Sequence, residues 1–306
     1  MSDATLAPEP STNPMRGVFW MLVTGLNFVM VTALVKYMGP RIPPAESAFL
    51  RYALGLVFLL PMIGSLRAAN WSGRLFALFG GRGLVHSFGV IAWFYAMTQI
   101  PLAEVTAMGY LSPIYVTVGA ALFLGESVAF RRIAAIVVAL LGVLVILRPG
   151  FREVSPGHLA MLVTGFCFGI SYLLTKALVA RTSPTVVVAM LSIWVPIGLA
   201  PMALANWVTP TGHELLILFG VACFATAGHY TMSMAFAAAP LTVTQPVTFL
   251  QLIWSTLLGA VFFAEGVDVW VVFGGAMILG AVSFITWREA VAKRRAITPP
   301  SHAMKS

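Results

Sequence analysis

The stretch Met21-Leu22-Val23-Thr24-Gly25 recurs 140 residues later as Met161-Leu162-Val163-Thr164-Gly165. Matches between apolar residues arise easily in a hydrophobic chain, whereas a matched Thr-Gly pair does not. Further matches at a spacing of 140 or 139 residues join Phe28 to Phe168, Lys36 to Lys176, Pro44 to Pro184, Pro101 to Pro240 and Glu126 to Glu265. The sequence therefore predicts that the second half of the chain is a duplicate of the first.

The composition predicts an integral membrane protein. Of the 306 residues, 59% are hydrophobic and only 9% are charged, whereas an average soluble domain is about 25% charged. A disordered chain would be poor in apolar residues, and two cysteines cannot build a disulfide scaffold. The net charge of +8 is interpreted as a signal for membrane orientation rather than for nucleic-acid binding.

Ten apolar runs are long enough to cross a bilayer, which takes about 20 residues. The connections between them are short, so we expect no soluble domain between spans. The predicted spans are residues 17–37, 45–64, 80–99, 102–124, 132–148, 158–180, 185–205, 214–237, 242–263 and 268–287.

The duplication and the number of spans together predict the architecture. Five spans per half is an odd number, so the second half enters the membrane inverted relative to the first. We predict an all-α membrane protein whose ten transmembrane helices form two inverted five-helix repeats. The predicted segments are a disordered cytoplasmic tail at 1–15, the two repeats at 16–150 and 155–288, and a basic cytoplasmic tail at 289–306.

The Lys and Arg residues predict the orientation. Most of the 18 fall on the cytoplasmic side if the N-terminus is inside, as the positive-inside rule requires. An even number of spans then places both termini in the cytoplasm.

Several motifs carry a resemblance to a known family. The chain resembles the EamA-type members of the drug/metabolite transporter superfamily over about residues 16–288. Its segments Gly228–Met232 and Thr244–Thr248 look most like those of the YddG-type amino-acid exporters. The motifs of the wider resemblance are Phe94–Met97, Ile100–Ala107, Ser112-Pro113, Leu122–Glu126, Arg131-Arg132, Ala239–Leu241 and Phe262–Glu265.

The resemblance implies a function as well as a fold. It implies export of small metabolites across the bacterial cytoplasmic membrane, through a central cavity lined by helices 1–4 and 6–9. Amino acids, including aromatic ones, are the expected substrates. A riboflavin-like vitamin carrier or a drug carrier of the same superfamily remains the alternative. The expected partners are this substrate and membrane lipids, with no cofactor and no nucleic acid, and a monomer is compatible with the sequence.

An enzyme is the competing class of function. A lipid-modifying enzyme would need a catalytic dyad or an acidic motif at the membrane interface. The sequence has no HExxH, GxSxG or DxxD motif, and we therefore expect a transporter rather than an enzyme.

Two polar-aromatic pairs occupy equivalent positions in the repeats. Ser112 and Tyr115 in span 4 correspond, at a spacing of 139, to Gln251 and Trp254 in span 9. Residues three apart share a helix face, so each pair can line a cavity for an amphipathic solute. The alternative is that the polar groups join helices by hydrogen bonds while the aromatic rings pack.

Two histidines are candidates for substrate recognition or proton transfer. His86 lies towards the inner end of span 3, on one face with Trp93, and His229 lies in the middle of span 8. A buried imidazole can donate and accept a hydrogen bond or titrate near neutral pH. The alternative is a structural hydrogen bond to a neighbouring helix, and a metal site is disfavoured because no third ligand accompanies them. Further substrate-binding candidates are Tyr95, Tyr230 and Gln245.

The distribution of charge predicts the transported class. No carboxylate is expected at mid-membrane, which favours facilitated equilibration over ion coupling, although a histidine could couple protons. No Arg or Lys is clearly placed mid-span, which favours neutral or zwitterionic solutes over phosphorylated ones. Pro113 and Pro246 are the predicted hinges, because each removes a helical hydrogen bond.

Overall fold

A computed structural model of the chain describes residues 13–115, 118, 130–151, 153–179, 181–239, 241–244 and 246–297. Throughout these residues the regular structure is helical and no strand occurs, which confirms the predicted helical fold. 3₁₀ helices at Leu56–Met62 and Pro246–Thr248 connect α2 to α3 and α10 to α11. The α-helices are α1 (Pro14–Met38), α2 (Pro44–Gly55), α3 (Ile63–Ala68), α4 (Gly73–Gln99), α5 (Leu102–Gly109), α6 (Phe130–Leu147), α7 (Pro156–Val179), α8 (Pro184–Ala205), α9 (Gly212–Ala238), α10 (Leu241–Thr244), α11 (Phe249–Phe263) and α12 (Val269–Ile297).

Seven helical stretches of the described chain are long and apolar enough to cross a membrane. Ile133–Leu147 and Leu250–Phe263 are shorter apolar helices. The predicted fourth span, 102–124, runs into residues that the structure does not describe. The seven stretches are Pro14–Met38, Pro44–Ala68, Gly73–Gln99, Pro156–Thr175, Pro184–Ala205, Gly212–Ala235 and Val269–Arg288.

Local capping explains where the long helices begin. The Asn13 side chain accepts a hydrogen bond from the Arg16 N–H at 3.1 Å, and Pro14 occupies the first turn of α1. The Ser72 hydroxyl accepts from the Leu75 N–H at 3.2 Å, so α4 begins at Gly73. The predicted start of this span, residue 80, was therefore wrong, because the cap lies upstream of the continuous apolar run.

The α9 helix begins with a reciprocal cap and an ion pair. Thr211 and Glu214 form a capping box, and the Arg41 Nε donates to the Glu214 carboxylate at 2.6 Å. This hydrogen bond raises the pKa of the Arg41 guanidinium. The α1–α2 connection is thereby fastened to the start of α9.

Helix pairs from the two halves build the bundle. α1 packs against α9, α4 against α7, α2 against α8, α5 against α11 and α6 against α12. The α6–α12 contact requires glycine, because a Cβ on Gly142 would stand 2.7 Å from the Gly274 carbonyl oxygen. Close backbone contact at small residues is typical of membrane helix pairs.

Candidate functional site

The two predicted histidines meet in the interior of the bundle. The ring centroids of His86, on α4, and His229, on α9, are 6.0 Å apart. His86 is 3% exposed and lies in the middle of α4 rather than towards one end, since the helix starts at Gly73. Sequence spacing could not reveal this juxtaposition, because it depends on how the two halves pack.

Repeat-related phenylalanines flank the histidines. Phe168 stacks on His86 with ring centroids 4.8 Å apart, and Phe28 meets His229 edge-on at 5.2 Å. Trp93 contacts Phe28 at 6.3 Å and Phe168 at 5.9 Å. These five residues are called the histidine cluster below. Phe28 and Phe168 were visible in the sequence only as members of the repeat, and that signal could have marked them as site residues.

The histidine cluster also carries hydrogen-bonding groups. His86 Nδ1 lies 3.1 Å from the Ser171 hydroxyl, and the Ser171 side chain is fully buried on α7. His229 lines a small cavity together with Arg51, Tyr52, Ser192 and Thr226. The space there is about 10 Å³, enough for one water molecule at most. A metabolite can enter only if the helices move apart.

Arg51 and Arg82 are buried in the bundle, which corrects the expectation that no Arg lies mid-span. Arg51, on α2, is 4% exposed and Arg82, on α4, is 5% exposed. Arg82 was assigned to a span end because the start of α4 was predicted too late. Arg51 stands well inside the predicted span 45–64 and could have been recognised there.

The predicted polar-aromatic pairs of spans 4 and 9 make different contacts in the two halves. The Ser112 hydroxyl donates to the Gly109 carbonyl at 3.2 Å, and the Tyr115 ring meets Phe166 at 5.8 Å. Gln251 lies beside Gly25 of α1. Trp254 is 40% exposed, so the structure does not turn this pair towards one interior surface.

The remaining substrate-binding candidates are Tyr95, Tyr230 and Gln245. Tyr95 is half-buried on α4. Tyr230 is 42% exposed although it follows His229 directly, because consecutive helical residues point in different directions. Gln245 lies outside the described residues.

The two predicted hinge prolines stand at breaks in their helices. α5 ends at Gly109 and helical structure resumes at residue 112, just before Pro113. Pro246 begins the 3₁₀ segment between α10 and α11. The Tyr110 hydroxyl donates to the Thr248 carbonyl at 2.7 Å. The break in one half is thereby joined to the break in the other.

An ion pair closes one end of the bundle. Lys36, at the end of α1, pairs with Glu265, which follows α11. Lys36 Nζ also donates to the Ile100 carbonyl at 2.9 Å, and Glu265 accepts from the Leu102 N–H at 3.0 Å. Three connections of the chain are therefore fastened together at this end.

A buried acid-base pair fastens α5 to α7. The Glu104 carboxylate lies 2.5 Å from His158 Nε2, and both side chains are almost fully buried. Both residues stand near helix starts, where the sequence placed Glu104. Its burial could not be predicted from sequence, since the covering helix comes from the other half.

Comparison with known proteins identifies the family. The sequence pattern of the EamA-like transporter family matches residues 15–148 and again residues 155–287. The chain belongs to the EamA-like transporter family. As a member of it, the chain is a membrane transporter, and the predicted EamA-type resemblance is confirmed. The finer resemblance to YddG-type exporters stays a prediction.

Curated relatives of this EamA-like chain transport different molecules. A riboflavin transporter of Rhizobium johnstonii is 28% identical, covering 96% of this chain and 98% of that protein. An S-adenosylmethionine uptake transporter of Rickettsia felis is 26% identical, covering 92% and 96%. A pseudopaline exporter of Pseudomonas aeruginosa is 24% identical, covering 87% and 94%. The names of these three relatives do not include an amino-acid exporter.

A solved crystal structure supports the EamA-like fold. It superimposes with a TM-score of 0.60 at 19% identity, covering 90% of this chain and 99% of that one. At this identity the similarity concerns the fold alone.

Proposed function

We propose that this chain is a secondary transporter of the bacterial cytoplasmic membrane that carries small metabolites with an aromatic ring by alternating access. The observation that carries the proposal is the histidine cluster, in which Phe28, Trp93 and Phe168 surround two imidazoles in the bundle interior. Aromatic rings bind a flat ring by stacking or edge-on contact, and the histidines supply hydrogen bonds to its polar groups.

Two kinds of metabolite belong to this substrate class. Aromatic amino acids are the substrates expected from the sequence, and export is the expected direction. Flavins are favoured by the relative named a riboflavin transporter, which aligns along almost the whole chain. Both offer a planar ring with polar substituents, so both belong in the first test.

Alternating access follows from ten helices arranged as two inverted repeats. Equivalent helices make equivalent contacts: Thr24 of α1 bonds Thr231 of α9 at 2.9 Å, and Thr164 of α7 approaches the Gly89 carbonyl of α4 at 3.4 Å. Inverted repeats that exchange conformations open first one end and then the other. The Lys36–Glu265 pair breaks when its end opens.

The experiment is counterflow in proteoliposomes that contain the purified protein. Vesicles preloaded with unlabelled riboflavin, tryptophan or phenylalanine are offered the labelled form of the same compound. We expect exchange of at least one, and a loss of about tenfold in His229→Ala, comparable to the removal of one or two hydrogen bonds.

A matched histidine provides the control. His213 lies on the same helix but is exposed at its start, so His213→Ala should retain the wild-type rate. Absence of exchange for all three compounds, in protein that remains folded, would overturn the aromatic-substrate proposal. Equal loss in His213→Ala and His229→Ala would show that the effect does not come from the cluster.

A further inference from the structure

Arg51 and Arg82 place two positive charges in the bundle without a counter-ion. In the described part of the chain neither guanidinium pairs with a carboxylate. Arg82 Nη1 donates to the Val187 carbonyl at 3.0 Å. Glu46, five residues before Arg51 on α2, instead accepts a hydrogen bond from the Val208 N–H at 2.8 Å. A buried charge with no partner is costly, and in membrane proteins it marks a functional site.

Several hydrogen-bond donors of Arg51, Arg82 and the neighbouring Tyr52 lack an acceptor in the described structure. Within the described residues, the buried atoms Nε and Nη1 of Arg51, Nε of Arg82 and the hydroxyl of Tyr52 have no hydrogen-bond partner. Arg51 lines the same cavity as His229 of the histidine cluster. In this part of the chain the donors have no acceptor, and the buried Glu46 Oε1 on α2 makes no hydrogen bond to them.

The cavity beside Arg51 lies where the two halves meet. At the repeat spacing of 140, Arg51 corresponds to Leu191 and Tyr52 to Ser192, and all four residues line this cavity. Only the first half contributes a charge, so the site is polarised although the fold is duplicated. The cavity lining contains no carboxylate.

The shape of the Arg51 guanidinium indicates which chemical group of a ligand it would bind. The Arg51 guanidinium carbon lies 3.9 Å from the centroid of the Tyr52 ring, and stacking leaves the N–H groups at the edge of the plane available. A planar fork of N–H donors matches the two oxygens of a carboxylate or phosphate. We propose that Arg51, supported by Arg82, binds an oxyanion group of the transported metabolite next to the histidine cluster. This inference rests on the proposed function and specifies its substrate class further.

Matched ligands test the proposal directly. Thermal melting of the purified protein is measured with riboflavin against flavin mononucleotide, with tryptamine against tryptophan, and with succinate. We expect the member of each pair that carries a phosphate or carboxylate to bind more tightly than the analogue that lacks it. Arg51→Gln should weaken that binding about tenfold to a hundredfold, as for the loss of a charge-assisted hydrogen bond. The two pairs distinguish a phosphate site from a carboxylate site.

Variants separate a binding role from a structural one. Arg51→Lys keeps the charge but not the fork, so we expect partial binding, and the exposed Arg74→Gln should bind as the wild type does. Without ligand, Arg51→Met should melt at or above the wild-type temperature, because it removes an unmatched charge. A marked fall in that temperature would mean that Arg51 is structural and would overturn the proposal.

The outcome also separates this inference from the transport proposal. If the wild type exchanges neutral and anionic flavins equally, and Arg51→Gln changes neither, the oxyanion site is wrong while the carrier function stands. If no aromatic compound is exchanged but succinate stabilises the wild type and not Arg51→Gln, the oxyanion site stands and the aromatic-substrate proposal falls.

Discussion

Buried polar residues of this bundle differ in whether the protein itself supplies their partners. Glu104 and His158 are both almost fully buried and lie in contact, whereas Arg51 is equally buried without a carboxylate partner in the described structure. The first arrangement stabilises the fold, because each group compensates the desolvation of the other. The second leaves a buried positive charge without a counter-ion, and a negatively charged group of a ligand can supply one.

The Glu104–His158 pair is predicted to stabilise the contact between α5 and α7. In His158→Leu the buried carboxylate loses its imidazole partner, and we expect destabilisation of about 3–5 kcal/mol, the range for breaking a buried pair. Thermal melting in detergent measures the effect. The double variant Glu104→Gln/His158→Leu should regain part of the loss, and exposed His213→Leu should melt as the wild type does. A silent His158→Leu would contradict the assignment.

Residue identities could be predicted from the sequence where their chemistry is unusual in a membrane. His86 and His229 were recognised because imidazoles are rare in apolar runs, and the structure brings them together. Tyr230 was included only as a neighbour of His229, and it points elsewhere. Arg51 was counted as a flanking positive charge although it lies within the predicted span 45–64, because orientation counts treat every Arg as interfacial. Burial depends on packing between the two halves, which a single sequence does not contain.

At the scale of elements, the breaks in the α5 and α10–α11 segments are the part of the fold that proline predicts best. Pro113 lacks the N–H that would bond the Gly109 carbonyl, and the Ser112 hydroxyl donates to that carbonyl instead. Ser112 was predicted to bind substrate, and in the structure its hydroxyl bonds the carbonyl at the helix break. Helix starts were predicted less well, because caps such as Ser72 lie outside the apolar runs.

These breaks are predicted to be the hinges of transport. Pro113→Ala restores an N–H that can bond the Gly109 carbonyl, and the helix can then continue without a break. One additional hydrogen bond would stabilise this unbent helix, so we expect the counterflow rate to fall about threefold to tenfold. Pro246→Ala should act alike, and substrate binding measured by thermal shift should persist. Pro201, inside α8 and exposed, supplies the control variant Pro201→Ala. Unchanged rates in both hinge variants would show that the breaks are static.

At the scale of the whole molecule, the duplication explains why so many contacts occur twice. Phe28 and Phe168 are 140 residues apart, and each contacts a histidine of the opposite half. The same exchange relates the α1–α9 and α4–α7 pairs. The repeat was readable from Thr-Gly, Lys, Pro and Glu matches, since these residues have few substitutes at such positions. The five spans predicted in each half, together with the family resemblance, led us to expect a site between the two halves.

The proposed inversion of the two halves predicts on which side of the membrane two connections between helices lie. Pro40 follows α1 and Arg181 follows α7, both are exposed, and five spans separate them in the ten-helix arrangement. They must therefore lie on opposite sides of the membrane, with Pro40 outside if the N-terminus is cytoplasmic.

Cysteine is introduced as Pro40→Cys or Arg181→Cys in a chain whose Cys167 and Cys223 are replaced by Ala. A membrane-impermeant maleimide should label the first variant in intact cells and the second only after permeabilisation. Labelling of both variants from outside would exclude inverted repeats, whereas the opposite pattern would retain the inversion and reverse the orientation. If the two repeats are inverted, as we propose, they can exchange conformations, and one central site can then open to either side.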